Sequence, residues 1–245
     1  MQKLLLLLLL AAPAAYAQRP DAPRATPVAR PAWQGGLLLG HDLFRVTNQR
    51  PGFAVGQYRV VPRMSTPSQG FRIGFWGRYN FGAGRRWLLQ PELSYSRNQS
   101  WHHVTNNAPP PPAGAPATTD FAVMSTGQDW QRLNLALPVG YRLTGRWLVL
   151  GGPVLACRIP TAYERLDQDY SRRIVGSINH SMRRTGLAWQ AGVGYEVGRV
   201  LLTARYERSV LRVAQRIELD GEQYPFRHFA TQVSFGMALR VAPLR

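Results

Sequence analysis

The 245-residue sequence predicts an all-β fold: an eight-stranded antiparallel up-and-down transmembrane β-barrel with four long extracellular loops and short periplasmic turns. Three observations predict it. Apolar residues recur at every second position through runs of about 12 residues, which is longer than the roughly 5–6 residues of an ordinary strand. Long and short connections alternate between these runs. The chain also begins with a segment typical of an export signal.

The alternation is clearest in residues 185–197. Trp189, Val193 and Tyr195 share one parity there, while glycine, glutamine and glutamate occupy the other. Successive side chains of a strand point to opposite faces, so a period of two indicates strands. We predict that the apolar parity faces lipid and the polar parity faces the interior. A soluble periplasmic ligand carrier would have the opposite sense, and it stays open as an alternative.

The N-terminal segment places Lys3 before a run of leucines and ends in the small-x-small sequence of residues 15–17. The apolar run is too short to cross a bilayer as a helix, which takes about 20 residues. These features predict export through a cleaved signal peptide, with cleavage after Ala17. The predicted organisation is a signal peptide at 1–17, a Pro/Ala/Arg-rich periplasmic linker at 18–34 and an outer-membrane β-barrel domain at 35–245.

The sequence contains eight runs of alternating apolar residues, one for each strand of the predicted barrel. Pro91 and the Gly151-Gly152-Pro153 sequence predict bulges, because proline cannot donate to a strand ladder. Long loops follow the first, third, fifth and seventh strands, which places both termini of the barrel in the periplasm. The predicted strands are 35–44, 71–81, 87–97, 129–143, 146–159, 185–197, 200–209 and 229–241, and the predicted long loops are 45–69, 98–127, 160–184 and 213–227.

The positions of the polar parity include charged residues, whose side chains are predicted to point into the barrel. An eight-stranded barrel encloses an interior just wide enough for side chains. We therefore expect arginines and glutamates to pair there and fill the lumen, with a narrow channel or small-solute pore as the alternative. The predicted lumen charge network is Arg72, Arg78, Glu92, Arg132, Arg142, Glu196, Arg205, Glu207 and Arg240.

Aromatic residues of the apolar parity are predicted to form the membrane belts. Tryptophan and tyrosine favour the membrane–water interface, where the ring is apolar and its polar edge reaches water. The predicted belt residues are Trp87, Tyr95, Tyr141, Trp147, Trp189, Tyr195, Tyr206, Phe229 and Phe235.

The formal net charge is +17, and Lys3 is the only lysine, so every later basic residue is an arginine. The arginines are scattered, with no run longer than a pair, and no nucleic-acid-binding motif accompanies them. We predict no nucleic-acid partner. The predicted partners are outer-membrane lipid and lipopolysaccharide, since the first long loop carries Arg45, Arg50, Arg59 and Arg63, which suit phosphate groups.

No spacing of residues predicts an enzyme. Ser100, His102 and His103 lie at the start of the second predicted loop, with Ser96 just before it, and a lipid-modifying outer-membrane enzyme that uses them is the alternative. No carboxylate is fixed beside them by spacing, so no catalytic residue is predicted. We also predict no metal site and no cofactor. Cys157 is the only cysteine, which excludes an internal disulfide.

Four segments resemble strands of the small outer-membrane β-barrel proteins of Bacteroidetes often called PorT-like. They are residues 89–96 (LQPELSYS), 135–141 (LALPVGY), 151–154 (GGPV) and 191–196 (AGVGYE). The resemblance implies an eight-stranded barrel in the outer membrane of a Gram-negative bacterium, and it implies no specific role. We expect a non-enzymatic structural or envelope-interaction role, with an envelope or secretion protein as a candidate partner. A component of a secretion apparatus is the further alternative.

Overall fold

The computed structural model describes the chain from residue 32 onward. The described residues are 32–48, 53–55, 58–62, 67–107, 123–160, 174, 176–178, 180–219 and 221–242. The predicted signal peptide therefore lies outside the described residues, and so does the predicted linker as far as residue 31. The first strand begins at Trp33, so the last two residues of the predicted linker belong to the barrel.

The described chain forms an antiparallel sheet that closes into a ring of eight strands, and this confirms the predicted fold class. The strands are β1 Trp33–Asn48, β2 Phe53–Val55, β3 Tyr58–Pro62, β4 Ser68–Phe81, β5 Trp87–Leu89, β6 Glu92–Asn106, β7 Val123–Ala136, β8 Val139–Arg142, β9 Trp147–Ile159, β10 Thr185–Val197, β11 Val200–Ser209, β12 Ala214–Leu219 and β13 Glu222–Ala242. None of the helices in the described ranges is long and apolar enough to cross a membrane.

Two of the eight ring strands are each made of two segments. The ring runs β1, β4, β5 with β6, β7 with β8, β9, β10, β11 and β13, which pairs back to β1. The breaks occur at Pro91 and Pro138, where no amide hydrogen exists for the ladder. Neighbouring amides bridge the breaks: Gln90 N–H donates to the Pro138 carbonyl at 2.9 Å, and Leu137 N–H donates to the Pro153 carbonyl at 3.1 Å.

The strands approach closely at this row of prolines. A Cβ atom on Gly152 would lie 2.6 Å from the Leu137 carbonyl oxygen, so only glycine fits opposite the break. Gly152 is therefore explained by close approach of the backbones. The bulges predicted at Pro91 and at Gly151-Gly152-Pro153 are absent, because the strand pairing keeps one register on both sides of each sequence.

The apolar parity faces outward, as the sequence predicts. Trp189 is 56% exposed, Val193 42% and Phe235 51%, although all three are large apolar residues. The polar neighbours Gln190 and Arg205 are buried inside the ring. This is the sense of a membrane-spanning barrel and the opposite of a soluble carrier, whose apolar residues would line the interior.

Three short turns, at residues 82–86, 143–146 and 198–199, lie at one end of the ring, which we call the periplasmic end. The other end, which we call the extracellular end, carries the long connections. The outward-facing apolar band stops near the extracellular end at Arg45, Arg97 and Arg208. Arg45 and Arg208 both lie opposite Thr231, on either side of β13.

Strands extend well beyond this border, and here the predicted loops were partly wrong. β2 and β3 form a hairpin inside the predicted loop 45–69, and β3 pairs with β6 from Pro62 opposite His102 to Tyr58 opposite Asn106. β6 and β7 also continue into the predicted loop 98–127. β12 pairs with the start of β13 inside the predicted loop 213–227. The wall of the barrel therefore continues above the lipid-facing band.

The predicted belt aromatics mostly lie near the ends of the apolar band. At the periplasmic end Trp87 packs against Tyr141 with ring centroids 4.9 Å apart, and Trp147 packs against Tyr195 at 4.8 Å. Near the extracellular border, Trp189 lies opposite Arg208, and Tyr206 lies two residues before Arg208 on β11. Trp33 and Tyr79, which the prediction missed, form a further pair at 4.7 Å.

The other three predicted belt residues occupy different levels. Tyr95 donates from its hydroxyl to Gln131 at 3.1 Å and packs near Phe71. Phe229 lies opposite Thr47, beyond the extracellular border of the band. Phe235 lies opposite Ala204 at the middle of β11, so it faces lipid at mid-height and does not belong to a belt.

Candidate functional site

The inward-facing residues form two clusters of charged and amide side chains inside the ring. The lower cluster, nearer the periplasmic end, consists of Arg78, Gln90, Glu92, Arg142, Glu196 and Arg205. The upper cluster consists of Asp42, Arg72, Arg132, Glu207, Gln232 and Ser234. Together these residues come from seven of the eight ring strands, all except β9, and each cluster joins side chains from five of them.

The lower cluster is a chain of hydrogen bonds. Arg205 binds Glu92 with both ends of its guanidinium, at 2.6 Å and 2.7 Å. Gln90 connects this pair to Arg78, since its amide nitrogen donates to Glu92 at 2.5 Å and its oxygen accepts from Arg78 Nε at 2.9 Å. Arg78 also binds Glu196.

Glu196 completes the lower cluster at the periplasmic mouth. Its second oxygen binds Arg142, which also donates to the first oxygen at 3.1 Å. The glutamate side chain is 22% exposed, against 1% and 4% for the two arginines. Among the described residues, the arginines of the lower cluster are therefore shielded from water, and the cluster reaches water at the Glu196 carboxylate.

The upper cluster is centred on Glu207. Its two oxygens lie 3.3 Å from Arg72 Nη2 and 3.3 Å from Arg132 Nη1. Arg72 Nε lies 3.6 Å from the fully buried carboxylate of Asp42. Arg132 donates to Gln232 at 2.6 Å, and Gln232 donates to Ser234 at 3.0 Å.

The charges in the two clusters nearly balance. Within the described ranges, five buried arginines meet four carboxylates, those of Asp42, Glu92, Glu196 and Glu207. Asp42 was missed because the face assignment of the first strand was uncertain from its sequence, although an acid in an apolar run was the available signal. The glutamine partners Gln90 and Gln232 share the inward parity and could have been found in the same way.

Arg240 does not belong to the clusters, although it was predicted to. It lies at the periplasmic end of β13, where its guanidinium donates to the Gly198 carbonyl at 2.8 Å. Alternation places Arg240 on the inward parity, but its distance along the strand carries it beyond the buried part of the lumen. The other eight predicted lumen residues all take part in the two clusters.

Apolar side chains pack against the charged clusters toward both ends of the lumen. At the periplasmic end an apolar floor surrounds the lower cluster, and we define it as Leu38, Trp76, Leu88, Leu148, Leu150, Leu201 and Ala238. At the extracellular end an apolar cap packs over the upper cluster, and we define it as Phe44, Val46, Tyr58, Val60, Val104, Trp130, Ile174, Ile178, Met182, Ala214, Ile217 and Ala230.

The cap shows why the long connections are structured. β3, β12 and the helical residues around 174–178 all supply side chains to it. Directly below, Arg132 lies against the Phe44 ring at 5.6 Å. The cavity that remains between Trp130, Arg132 and Glu207 measures about 40 Å³, which is space for a few water molecules.

A pair of histidines lies among the cap strands. His102 and His228 are almost fully buried, and their ring centroids are 6.1 Å apart. Both lie beyond the extracellular border of the apolar band, since β6 reaches His102 after Arg97 and β13 passes His228 before Thr231. Burial, and secondarily the charge of His103, lowers the pKa of His102 to about 4, while burial, and secondarily the charge of His102, lowers the pKa of His228 to about 3.

The residues considered for catalysis lie within β6 and not in a loop, which corrects the predicted position. Ser100 accepts from Trp130 Nε1 at 2.8 Å and lies 3.3 Å from the Gln128 amide oxygen. Ser96 accepts from Asn134 at 2.9 Å. Within the described ranges, no three histidine, cysteine or acidic residues are grouped to hold a metal ion. Both serines therefore form hydrogen bonds with side chains of the neighbouring strand β7.

Comparison with known proteins adds likenesses of the fold. No family model matches the chain, and no curated protein sequence matches it. Among solved structures, the chain is similar to Ail, the attachment invasion locus protein of Yersinia pestis, solved with the heparin analogue sucrose octasulfate (14% identity, 85% of this chain, 98% of that chain, TM-score 0.38). It is also similar to the outer membrane protein OprG from Pseudomonas aeruginosa (11%, 85%, 91%, 0.37) and to the outer membrane protein AlkL (12%, 93%, 100%, 0.42). At this level of identity and overlap, none of the three carries an inference about what this chain binds.

The Glu92–Arg205 pair generates a first prediction. Replacing Glu92 by alanine leaves the Arg205 guanidinium buried without its bidentate partner, and we expect the free energy of unfolding to fall by about 3–5 kcal/mol. Denaturant titration of the barrel folded into lipid measures the change. The matched control is Asp129→Ala, which removes the half-exposed Arg97–Asp129 pair and should cost under about 1 kcal/mol. Equal losses in the two variants would contradict the structural role of the lower cluster.

The buried histidines generate a second prediction, on pH. Because their folded-state pKa values lie below the ordinary value of about 6.5, the unfolded chain binds protons first as the pH falls. Stability of the cap is therefore complete above about pH 6.5 and decreases as the pH falls toward the folded pKa values of about 4 and 3. The protection factors for amide hydrogen exchange in β12 and the first half of β13, corrected for the intrinsic slowing of exchange in acid, should therefore decrease over this range.

A His228→Gln variant tests the same point, because it removes one of the two proton-binding groups. We expect a shallower dependence of exchange on pH than in the unchanged protein. The exposed His180 provides the control, since His180→Gln should leave the dependence as it was. An unchanged profile in His228→Gln would show that other groups set the response to acid.

Proposed function

We propose that this chain is a non-enzymatic integral outer-membrane β-barrel with a structural or envelope-interaction role. The closed lumen is the observation that carries the proposal. Two charged clusters fill the interior, and apolar layers lie at both ends of it. With the interior occupied by its own side chains, the barrel has its exterior and its two ends left for interactions.

The outer-membrane location rests on the outward apolar face together with the predicted export signal. A barrel satisfies every strand hydrogen bond internally, which makes it one of the two folds that can cross a bilayer. The assignment to the PorT-like barrels of Bacteroidetes belongs to the same proposal, and the four resembling segments support it. A role as a component of a secretion apparatus, with an envelope protein as partner, is compatible with this location.

For the extracellular border we propose lipopolysaccharide as the partner. Arg45 and Arg208 are exposed and point outward at the same level, with Thr231 between them and Trp189 on the next strand. Because β13 lies between their strands, the two arginines are about two strand spacings, roughly 10 Å, apart, and their long side chains can reach one phosphorylated headgroup. Of the other arginines predicted for this role, Arg59 is exposed on β3, and Arg50 and Arg63 lie outside the described residues.

Conductance distinguishes a filled barrel from a pore. We expect the refolded full-length chain to insert into a planar lipid bilayer without producing discrete current steps. As a control for detection, a purified bacterial porin measured in the same bilayer and buffer should give discrete current steps. Stable unitary currents from the unchanged chain would contradict the filled lumen and favour the small-solute pore.

Binding of lipopolysaccharide tests the proposed partner. The double variant Arg45→Gln, Arg208→Gln should bind purified lipopolysaccharide roughly tenfold or more weakly, since each arginine near an anionic surface contributes about 1 kcal/mol. The control removes the same charge at the periplasmic end through Arg85→Gln and Arg199→Gln, and it should bind as before. If both double variants bind lipopolysaccharide like the unchanged chain, the site at Arg45 and Arg208 is contradicted.

A further inference from the structure

The three periplasmic turns carry the same short sequence pattern. Each has a glycine, one or two arginines, an outward apolar residue and a buried leucine, in that order. The three sequences are Gly84-Arg85-Arg86-Trp87-Leu88, Gly145-Arg146-Trp147-Leu148 and Gly198-Arg199-Val200-Leu201. The three leucines are 0%, 1% and 3% exposed, and all belong to the apolar floor. At three places around the ring, the pattern therefore sets an arginine of a turn two residues before a leucine of the apolar floor.

The backbone holds the three arginines in the same way. The carbonyl of Arg86 accepts from the amide of Arg142 at 2.9 Å. The carbonyl of Arg146 accepts from the amide of Glu196 at 2.9 Å, and that of Arg199 accepts from the amide of Arg240 at 2.8 Å. Each arginine is thus tied to the next ring strand at its main chain, while its side chain is exposed.

Two of the three repeats add an aromatic pair at the same register. The residue after the arginine lies opposite the residue before the amide donor, which gives Trp87 opposite Tyr141 and Trp147 opposite Tyr195. In the third repeat Val200 lies opposite Leu239. Arg146 also donates to the Tyr195 hydroxyl at 3.4 Å, and Arg86 shares an open cleft with Trp87 and Tyr141.

The charge at this end is one-sided. Among the described residues, Glu196 is the carboxylate brought to the periplasmic mouth, and its oxygens are taken up by Arg78 and Arg142. Arg86 and Arg146 directly precede Trp87 and Trp147, whose side chains face outward. A tryptophan–tyrosine pair lies at the membrane–water interface, so an arginine one residue beyond it lies at the level of lipid phosphates.

We propose that the periplasmic end of the barrel is a docking collar for anionic phospholipids, in which Arg86 and Arg146 each bind a lipid phosphate beside a tryptophan–tyrosine pair. A guanidinium can donate two parallel hydrogen bonds to phosphate, and the indole ring packs along the glycerol and first acyl carbons. This proposal rests on the proposed membrane location. It goes beyond it in naming the lipid class, the leaflet and the two sites.

The third repeat provides a comparison within the same molecule. Arg199 has the same backbone tie and the same buried leucine, but Val200 and Leu239 replace the aromatic pair. Arg199 therefore has the charge of the collar without the aromatic platform. We expect it to add general attraction for anions and no defined lipid site.

The test uses the full chain folded in detergent, with lipid binding followed by native mass spectrometry. Phosphatidylglycerol should bind the unchanged protein, and diacylglycerol, which lacks the phosphate, should not. Arg86→Gln with Arg146→Gln should weaken phosphatidylglycerol binding by roughly twentyfold, on the basis of about fivefold for each arginine at an anionic surface. Arg85→Gln with Arg199→Gln removes the same charge from the same end and should weaken it by less than about fivefold.

Three results would overturn the collar. The first is equal weakening in the two double variants, which would mean general electrostatic attraction without defined sites. The second is equal retention of phosphatidylglycerol and diacylglycerol. The third is complete displacement of the lipid by inorganic phosphate, which would identify a soluble anion as the ligand. A chain that stays soluble without detergent would instead contradict the proposed membrane function itself, so the two failures can be told apart.

Discussion

The structure depends on one constraint: a barrel that exposes apolar side chains on the outside must satisfy all its polar side chains inside a narrow bore. Burying a guanidinium is costly unless a carboxylate and further hydrogen-bond acceptors meet it. Here Glu92 and Glu207 accept hydrogen bonds from buried arginines in the two clusters. Gln90 adds a hydrogen bond to Glu92, and Gln232 accepts one from Arg132. The interior is thereby occupied by two polar clusters of the chain's own side chains.

The two apolar layers follow from the same constraint. Water that enters the bore would compete for the buried hydrogen bonds, so apolar side chains packed around the charged pairs strengthen those pairs. The floor takes one leucine from each short turn and its other residues from the strands above the turns. The cap needs more, and the extracellular strands β3 and β12 extend the wall far enough to support it.

The two ends of the barrel consequently differ in what they present. The extracellular end is a folded apolar cap surrounded by exposed arginines, with a buried histidine pair among its strands. The periplasmic end is short, repetitive and basic, and its arginines are attached to the aromatic belt through the backbone. A barrel with a filled interior and two chemically distinct ends fits a role in organising or contacting other envelope components.

The residue pattern by itself determined the fold class, the bounds of β10 and the side of the wall on which most residues lie. Alternation is a local property, and it passes from sequence to strand without knowledge of any partner. It therefore placed Arg72, Glu92, Arg205 and Glu207 inside correctly. It was less informative for short strands such as β2 and β12, whose few residues show no sustained period.

Only the tertiary structure decided which inward residues meet and how far each lies along the bore. Asp42 joins Arg72 because β1 and β4 are neighbours in a particular register, and Arg240 is excluded because its strand has already reached the mouth. His102 changed from a loop residue to a buried one because β3 pairs alongside it. Register and strand order are set by contacts between distant parts of the chain, and the alternation of side chains along a single strand does not encode them.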